Sequence, residues 1–208
     1  MKSFFLVFFT TIILFSVAST NKFSAPSFCG GLECPEFTTI QKLSDDIEIR
    51  QYQDSNWVTI EMKGDKEVSN KNSFWALFNY ISGKNSQNEK IQMSAPVVYK
   101  INSKIPFTIE ENWGSMSFFL GYKYQNDVTA PQPTENGVYL TTQTSRKYAV
   151  ISYSGYSNEK DERENLMKLG TYLSSQGIAF VNEHYFYAGY DAPYKFWSRH
   201  NEILVELN

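Results

Sequence analysis

The sequence has few cysteines, few histidines and no excess of positive charge. Two cysteines cannot complete a four-ligand zinc site by themselves, and two histidines leave little for metal binding or acid–base catalysis. With 19 basic and 22 acidic residues and a net charge of -3, the chain lacks the broad basic surface that sequence-independent binding to nucleic acid needs. It also lacks the GxSxG and HExxH motifs and a glycine-rich phosphate loop. These absences argue against a nucleic-acid-binding protein and against an enzyme.

Beyond the N-terminus, the chain has no apolar run long enough to cross a bilayer. At the N-terminus itself, Lys2 precedes an uncharged stretch over 4–18, and small residues at 18–20 offer a cleavage site. This pattern is typical of a secretory signal peptide, here residues 1–20. A retained membrane anchor is the alternative, but the run is shorter than the roughly 20 residues of a span. We therefore expect a secreted protein, extracellular or in a lumenal or vacuolar compartment, with no stable membrane insertion after cleavage.

Cys29 and Cys34 lie in the motif CGGLEC, within an N-terminal segment of residues 21–45. In a secreted chain an isolated cysteine pair most often forms a disulfide bond. A redox-active or cofactor-ligating pair is the alternative, but the spacing is not CxxC and no CxxCH occurs. We expect a structural disulfide between the two.

Two halves of the remaining chain are related in sequence. Residues 57–64 align with 148–155 at an offset of 91, and residues 77–82 align with 169–174 at an offset of 92. Such matches, found in the same order, indicate an internal repeat of roughly ninety residues. With 208 residues and 42% hydrophobic side chains, the chain is expected to form a single domain over 46–208, built from two similar halves.

Alternating hydrophobicity predicts strands in both halves. Apolar and polar residues alternate over 58–62, and again over 202–207, where Glu202 and Glu206 are the polar members. Period-two patterning of this kind predicts strands with one face in the core and one face in water. We therefore expect the Glu202 side chain to be solvated.

Two apolar stripes with helical spacing predict one helix in each half, over 67–82 and 159–176. The stripes consist of Phe74, Leu77, Phe78 and Ile81, and of Leu166, Leu169, Gly170 and Leu173. The predicted N-caps are Ser69 or Asn72 for the first helix and Asn158 for the second, with Gly83 and Gly177 at the C-terminal ends. The sequence thus predicts an α+β fold, an eight-stranded and mainly antiparallel sheet or barrel with two helices, in two strand–strand–helix–strand–strand halves.

Four stretches carry a resemblance to a known family: DIEIRQY (46–52), NWVTIEM (56–62), YISGKNSQNEKIQMSAPV (80–97) and YFYAGYDAPYKFWSRHNEILVEL (185–207). They resemble the SOUL heme-binding protein family, in particular its heme-binding protein 2 branch, and the resemblance covers residues 34–207. It implies a distorted eight-stranded β-barrel flanked by two helices, with a pseudo-twofold repeat. It also implies non-covalent binding of heme or a related tetrapyrrole without known catalysis.

The resemblance further implies where such a ligand binds. The corresponding helix in the family carries a basic residue followed by apolar side chains that line a cleft, which are Lys71, Phe74 and Phe78 here. Family members also carry a basic residue after the AGYDAPY motif, which is Lys195 here, next to Tyr194. An apolar cleft would enclose the porphyrin, and the lysines would pair with its propionates. Periodicity alone equally accommodates the two phenylalanines as core residues and the lysines as solvated ones.

No residue stands out as an axial ligand for heme iron. Some family members carry a histidine, proposed as the axial ligand, in the motif EIRHY, where this chain has Gln51. An amide is a poor iron ligand compared with imidazole, thiolate or thioether sulfur. We expect His184 and His200 to be solvated or hydrogen-bonded, and Met93 to pack against the barrel. Binding of heme is therefore expected to depend on apolar enclosure, without a metal-ligating side chain.

Two other functions stay open at this point. The family's second branch has been linked to binding of cell-death regulators through a short amphipathic helix, and residues 166–171 match that motif in part, with Thr171 in place of an Asp. Such a protein-interaction module is one alternative. A carrier of another lipophilic ligand is the other, because 16% of the residues are aromatic. The sequence leaves open the choice among heme, metal-free porphyrin and another lipophile, and also the oligomeric state and any protein partner.

Overall fold

The computed structural model describes residues 23–63, 66–104, 108–126 and 128–208. The predicted signal peptide lies outside these residues. The strands are β1 (Phe37–Lys42), β2 (Ile47–Tyr52), β3 (Ser55–Glu61), β4 (Val97–Lys104), β5 (Thr108–Phe119), β6 (Val138–Gln143), β7 (Arg146–Tyr153), β8 (His184–Gly189) and β9 (Asn201–Glu206). The helices are α1 (Lys66–Ile81) and α2 (Glu159–Ser175), with short 3-10 helices at Ser27–Cys29 and Tyr122–Tyr124. Neither α-helix, nor any other helix in these ranges, is both long and apolar enough to cross a bilayer.

The strands form one antiparallel sheet with the order β1-β2-β7-β9-β8-β4-β5-β3-β6. The first half of the domain is β2-β3-α1-β4-β5, and the second half is β6-β7-α2-β8-β9. Exchanging the two halves reproduces every strand pairing outside β1, so a pseudo-twofold axis runs between β4 and β8. The predicted α+β fold with two strand–strand–helix–strand–strand halves is therefore confirmed. The N-terminal segment contributes β1 as a ninth strand beside β2.

Two short connections curl this sheet into a half-barrel. Residues 53–54 join β2 to β3, and residues 144–145 join β6 to β7, although the strands in each pair lie near opposite ends of the sheet order. Each connection therefore draws the two edges of the sheet toward each other. The backbone N–H of Ser145 donates a hydrogen bond to Asp54 Oδ1 at 2.6 Å, which ties the two equivalent connections together.

Both helices pack on the convex face of the sheet, α1 against β3 and β5, and α2 against β7 and β9. The predicted inward-facing side chains are confirmed, since Leu77, Ile81, Leu166, Leu169 and Leu173 are buried and Phe74 packs against the core in part. Each stripe meets the apolar members of the alternating strands, such as Val58 and Met116 under α1. Burying one such side chain contributes about 1.5–3 kcal/mol, so the two stripes hold the helices on the sheet.

The helix ends follow the sequence only in part. Asn158 caps α2 as predicted, because its Oδ1 accepts from Lys160 N at 2.9 Å and from Asp161 N at 3.1 Å. The predicted caps of α1 are wrong, since that helix already begins at Lys66. Ser69 lies inside its first turns, where its Oγ accepts a hydrogen bond from Lys63 N at 3.1 Å. The predicted glycines do follow the helix ends, and both adopt positive φ angles that favour glycine, 112° at Gly83 and 66° at Gly177.

The concave face of the sheet is only partly in contact with water. Residues 23–36, called the N-terminal strap below, cover one half of it. The strap contains the Cys29–Cys34 disulfide, as predicted, and both cysteines are buried against Val150, Ala188 and Leu204. The prediction that Glu202 lies in water is wrong: its side chain is 0% exposed. Alternation identified the strand, but long-range packing of the strap decided what covers its second face.

Candidate functional site

Three of the predicted ligand-binding residues lie on α1. Lys71 is exposed, Phe74 contacts Phe118 edge-on at 5.4 Å between ring centroids, and Phe78 is 36% exposed. The rings of Phe74 and Phe78 are nearly parallel, with an interplanar angle of 13° and centroids 6.0 Å apart. Trp75, which the stripe did not include, is 51% exposed and stands edge-on to Phe78 at 5.5 Å. Phe74, Trp75 and Phe78 together form the α1 aromatic patch.

The other two predicted residues lie in the β8–β9 loop, residues 190–200. Tyr194 is 79% exposed, and Lys195 forms a salt bridge with Asp191. Arg199 holds the loop from inside, donating to the carbonyls of Ala192 at 2.7 Å and Lys195 at 2.9 Å. The loop is thus an ordered platform whose most exposed side chains are aromatic. Two of these were not predicted, Phe196 and Trp197.

The structure does not join the two predicted groups through a direct contact. The β8–β9 loop contacts the connection between β7 and α2, where the Tyr156 hydroxyl donates to the Pro193 carbonyl at 3.1 Å. Arg199 also lies over the Tyr156 ring at 4.5 Å. Between the loop and α1, the described residues share no hydrogen bond, salt bridge or ring contact. A ligand that used both groups would have to bridge them.

The candidate iron ligands are engaged by protein neighbours. Gln51 Nε2 donates to Ser145 Oγ at 2.8 Å. His200 Nε2 lies 2.7 Å from Glu202 Oε1, and its ring stacks on Phe28 with centroids 4.1 Å apart. His184 is half-buried, which together with the charge of Lys100 lowers its pKa. Met93 packs against the α1 core, as predicted. In the described ranges no three histidine, cysteine, aspartate or glutamate side chains cluster as metal ligands.

A buried ion pair lies under the strap. Arg50 donates to Glu202 through two nitrogens, Nη1 to Oε2 at 3.0 Å and Nη2 to Oε1 at 2.9 Å. The Tyr190 hydroxyl donates to Glu202 Oε2 at 2.7 Å. Burial alone would raise the pKa of Glu202, but hydrogen bonding to His200 and the charge of Arg50 outweigh it and hold that pKa at about 2. This carboxylate is therefore charged and fully partnered, which suits a structural role.

The half of the concave face outside the strap forms an open cleft of about 260 Å³. Side chains from β2 round to β9 point into this concave cleft, because the sheet curls around it. Its aromatic walls are Tyr52, Trp57, Tyr139, Tyr148, Phe186 and Tyr190, and its charged residues are Glu61 and Lys100. The periodic pattern did not reveal the cleft, because these residues are the members of each strand that alternation assigns to water. The unusual share of aromatics among them is the signal that could have identified it.

The residues of the predicted interaction motif, 166–171, are largely turned into the core. Leu166, Leu169 and Gly170 are buried between α2 and the sheet. Met167 is the exposed apolar member of this stretch. A partner protein therefore could not contact the leucines and the glycine of this motif unless α2 moved away from the sheet.

Comparisons with known proteins agree with the resemblance in the sequence. The profile of the family described as SOUL heme-binding protein matches residues 32–206. The chain is 32% identical to human heme-binding protein 2 over 164 residues, which are 77% of this chain and 78% of that protein. It is 26% identical to heme-binding protein 1 of Xenopus tropicalis over 186 residues, 88% of this chain and 96% of the relative.

A solved structure shares the fold at low sequence identity. The crystal structure of the EcmrR C-terminal domain has a TM-score of 0.56 and is 10% identical, and the match covers 78% of this chain and 96% of that one. At this level of identity the likeness concerns the fold and carries no statement about ligands.

Proposed function

Because this chain belongs to the SOUL heme-binding protein family, we propose that it binds heme or a related tetrapyrrole non-covalently, as a secreted carrier or scavenger and not as an enzyme. Two relatives, human heme-binding protein 2 and frog heme-binding protein 1, are named for heme binding. Secretion rests on the signal-peptide pattern of residues 1–20, and the Cys29–Cys34 disulfide suits an oxidising compartment.

The α1 aromatic patch is the observation that carries this proposal. A porphyrin is flat and apolar over most of its area, and it would be held mainly by removing that area from water. Phe78 and Trp75 present exposed ring surface on a helix whose other face is anchored in the core. Lys71 lies one turn before Phe74 and Trp75, within reach of a propionate at the edge of a ring bound there. In the β8–β9 loop, Tyr194 and Lys195 would contact another edge of the same porphyrin ring.

The residues suit the porphyrin ring better than the iron. Gln51 and His200 are both held by hydrogen bonds within the protein, so ligating iron would cost those contacts. Lys195 is already paired with Asp191, which reduces what it can add to propionate binding. We therefore expect affinity for the ring itself, with little difference between hemin and metal-free protoporphyrin.

Titration of the full chain lacking residues 1–20 with both ligands tests the proposal. We expect hemin, followed by absorbance, and protoporphyrin, followed by fluorescence, to bind with similar affinity. Phe78→Ala should weaken both by about tenfold, because apolar burial dominates. Lys71→Gln or Lys195→Gln should weaken them by about fivefold or less, as expected for solvent-exposed ion pairs. Met167→Ala, which removes an exposed apolar side chain from α2, is the matched control and should change neither.

Two results would contradict this proposal. The first is no saturable binding of either ligand by a protein that unfolds cooperatively. The second is a hemin spectrum with histidine ligation that is lost in His184→Ala or His200→Ala, since that would make a histidine the centre of the site.

A further inference from the structure

We propose that the concave cleft is a second binding site, for a small flat aromatic molecule that carries an anionic group. This site lies on the face of the sheet opposite the α1 aromatic patch. It goes beyond tetrapyrrole binding and does not depend on it.

The walls of the cleft are aromatic and held in place by the protein. Trp57 donates its indole N–H to Ser55 Oγ at 2.9 Å, so its ring face stays available without an unsatisfied polar atom. Across the cleft, Tyr148 and Phe186 stand perpendicular to each other, with centroids 5.7 Å apart. Rigid aromatic walls of this kind stack against a flat ring at small cost in side-chain entropy.

The floor of the cleft is polar. The equivalent positions in the other half of the repeat are apolar, so the two halves differ here. Thr59 Oγ1 lies 2.9 Å from both Ser117 Oγ and Thr141 Oγ1, so three hydroxyls form a chain across β5, β3 and β6. In the second half Val150 is equivalent to Thr59, and it pairs with Leu204 as Thr59 pairs with Ser117. That apolar pair packs under the strap, and Leu204 also reaches the edge of the cleft. The uncovered half instead offers hydroxyls to water or to a ligand.

The two charged residues of the cleft differ in their partners, and Lys100 is the one that an anionic ligand would pair with. Glu61, Ser115 and Lys100 lie side by side on β3, β5 and β4. The Glu61 carboxylate already accepts a hydrogen bond from the Tyr139 hydroxyl. Lys100 is half-buried among the lining residues, and no salt bridge or hydrogen bond joins its ammonium group to any described residue. A carboxylate or sulfonate group of a ligand would form an ion pair with this ammonium group.

The size of the cleft limits the ligand. Clefts for drug-sized molecules span roughly 300–1,000 Å³. A volume of about 260 Å³ lies below that range and suits a ligand of one to a few fused or linked rings. A whole tetrapyrrole would extend beyond it.

Two fluorescent probes that differ in one group test the site. Anilinonaphthalene sulfonate is an aromatic anion with two linked ring systems, and phenylnaphthylamine has the same rings without the sulfonate. We expect the folded chain to bind both with one saturable site, and the anion more tightly. Lys100→Gln should weaken the anion by about three- to tenfold and leave the neutral probe unchanged.

Ser117→Leu tests the place of binding. It introduces into the open half the residue that the covered half carries at the equivalent position, Leu204, and it fills the floor of the cleft. Affinity for both probes should fall by at least about tenfold. Phe78→Ala, in the α1 aromatic patch, is the control and should leave both probes unaffected while weakening porphyrin. Cooperative unfolding of each variant excludes probe binding to a loosened core.

The proposal is wrong if Phe78→Ala, and not Ser117→Leu, removes the probes, since they would then bind at α1. It is also wrong if Lys100→Gln weakens both probes equally or neither. Because Lys100 is only half-buried, that variant decides the matter even where Ser117→Leu does not fold. Failure of porphyrin titration alone would leave these probe results unchanged, so the two proposals fail separately.

Discussion

At the scale of single residues, the Arg50–Glu202 pair explains how a carboxylate can lie fully inside this protein. Glu202 accepts two hydrogen bonds from Arg50 and one from Tyr190, and His200 contacts it from the loop. Arg50 also lies over the Phe37 ring at 4.3 Å. An ion pair of this kind adds little over an apolar pair of equal shape, but removing one partner leaves a buried charge. The pair therefore penalises any packed structure that buries Arg50 of β2 or Glu202 of β9 without the other.

Glu202→Gln should lower the free energy of unfolding by about 3 kcal/mol near neutral pH, because Arg50 loses its fully buried counter-charge and, among the described residues, keeps only the ion pair with the partly exposed Glu48. The measurement is denaturant unfolding of both proteins. Glu206→Gln is the matched control on the same strand, since Glu206 pairs with the half-exposed Arg146. That control should cost less than about 1 kcal/mol. Equal losses in the two variants would contradict a special role for the buried pair.

The same residue predicts a dependence on pH. The folded-state pKa of Glu202, about 2, lies below its ordinary value of 4.5. A carboxyl group with a lowered folded-state pKa contributes stability above its unfolded-state pKa and loses it as the pH falls through the folded-state value. The difference in unfolding free energy between the wild type and Glu202→Gln should therefore shrink as the pH is lowered from about 5 to about 2. A difference that stays constant over this window would assign the effect to packing alone.

At the scale of secondary-structure elements, the start of α2 depends on one side chain. Asn158 satisfies two backbone N–H groups that the helix itself cannot pair. Asn158→Ala should cost about 1 kcal/mol in the free energy of unfolding. Asn72→Ala, at an exposed position inside α1, should cost nothing measurable, because alanine favours the helix interior. A comparable loss in both would mean that neither asparagine acts as a cap.

The same elements show what could be predicted from the sequence and why the rest could not. Helix bounds and inward faces follow from local spacing, so α1 and α2 were located to within a residue or two. The Cys29–Cys34 disulfide was predicted because an isolated cysteine pair in a secreted chain most often forms one. The cap of α1 was missed because Ser69 and Asn72 are cap-type residues that lie inside the helix. The burial of Glu202 was missed because its partner, Arg50, is 152 residues away.

The candidate site was only half accessible to sequence reasoning. Lys71, Phe74 and Phe78 could be proposed because a helix stripe and a family resemblance both point to α1. The concave cleft could not, because Trp57, Tyr139 and Phe186 lie on three strands that are far apart in sequence, and they line one cleft only after the whole sheet has formed. Their grouping depends on the curl of the sheet, which no local pattern encodes.

At the scale of the whole molecule, the strap breaks the symmetry of the repeat. Two equivalent half-faces line the inside of the half-barrel, and the strap closes one of them. Its contacts reach across the molecule: Phe28 stacks on His200, and Glu33 accepts hydrogen bonds from the backbone of Ala95 and, at 2.7 Å, of Tyr122. The strap therefore fixes the boundary of the concave cleft as well as covering Leu204.

The disulfide should stabilise the folded position of the strap, because it restricts the conformations of this segment in the unfolded chain. Its loop is short, so the entropic contribution is about 2 kcal/mol. The double variant Cys29→Ala and Cys34→Ala keeps small apolar side chains against Val150, and it should lose about that amount in the free energy of unfolding. The wild type measured in reducing agent should match the variant, and the variant itself should not respond to the reductant. A variant as stable as the oxidised wild type would show that burial of the strap, and not its covalent link, holds the closed half together.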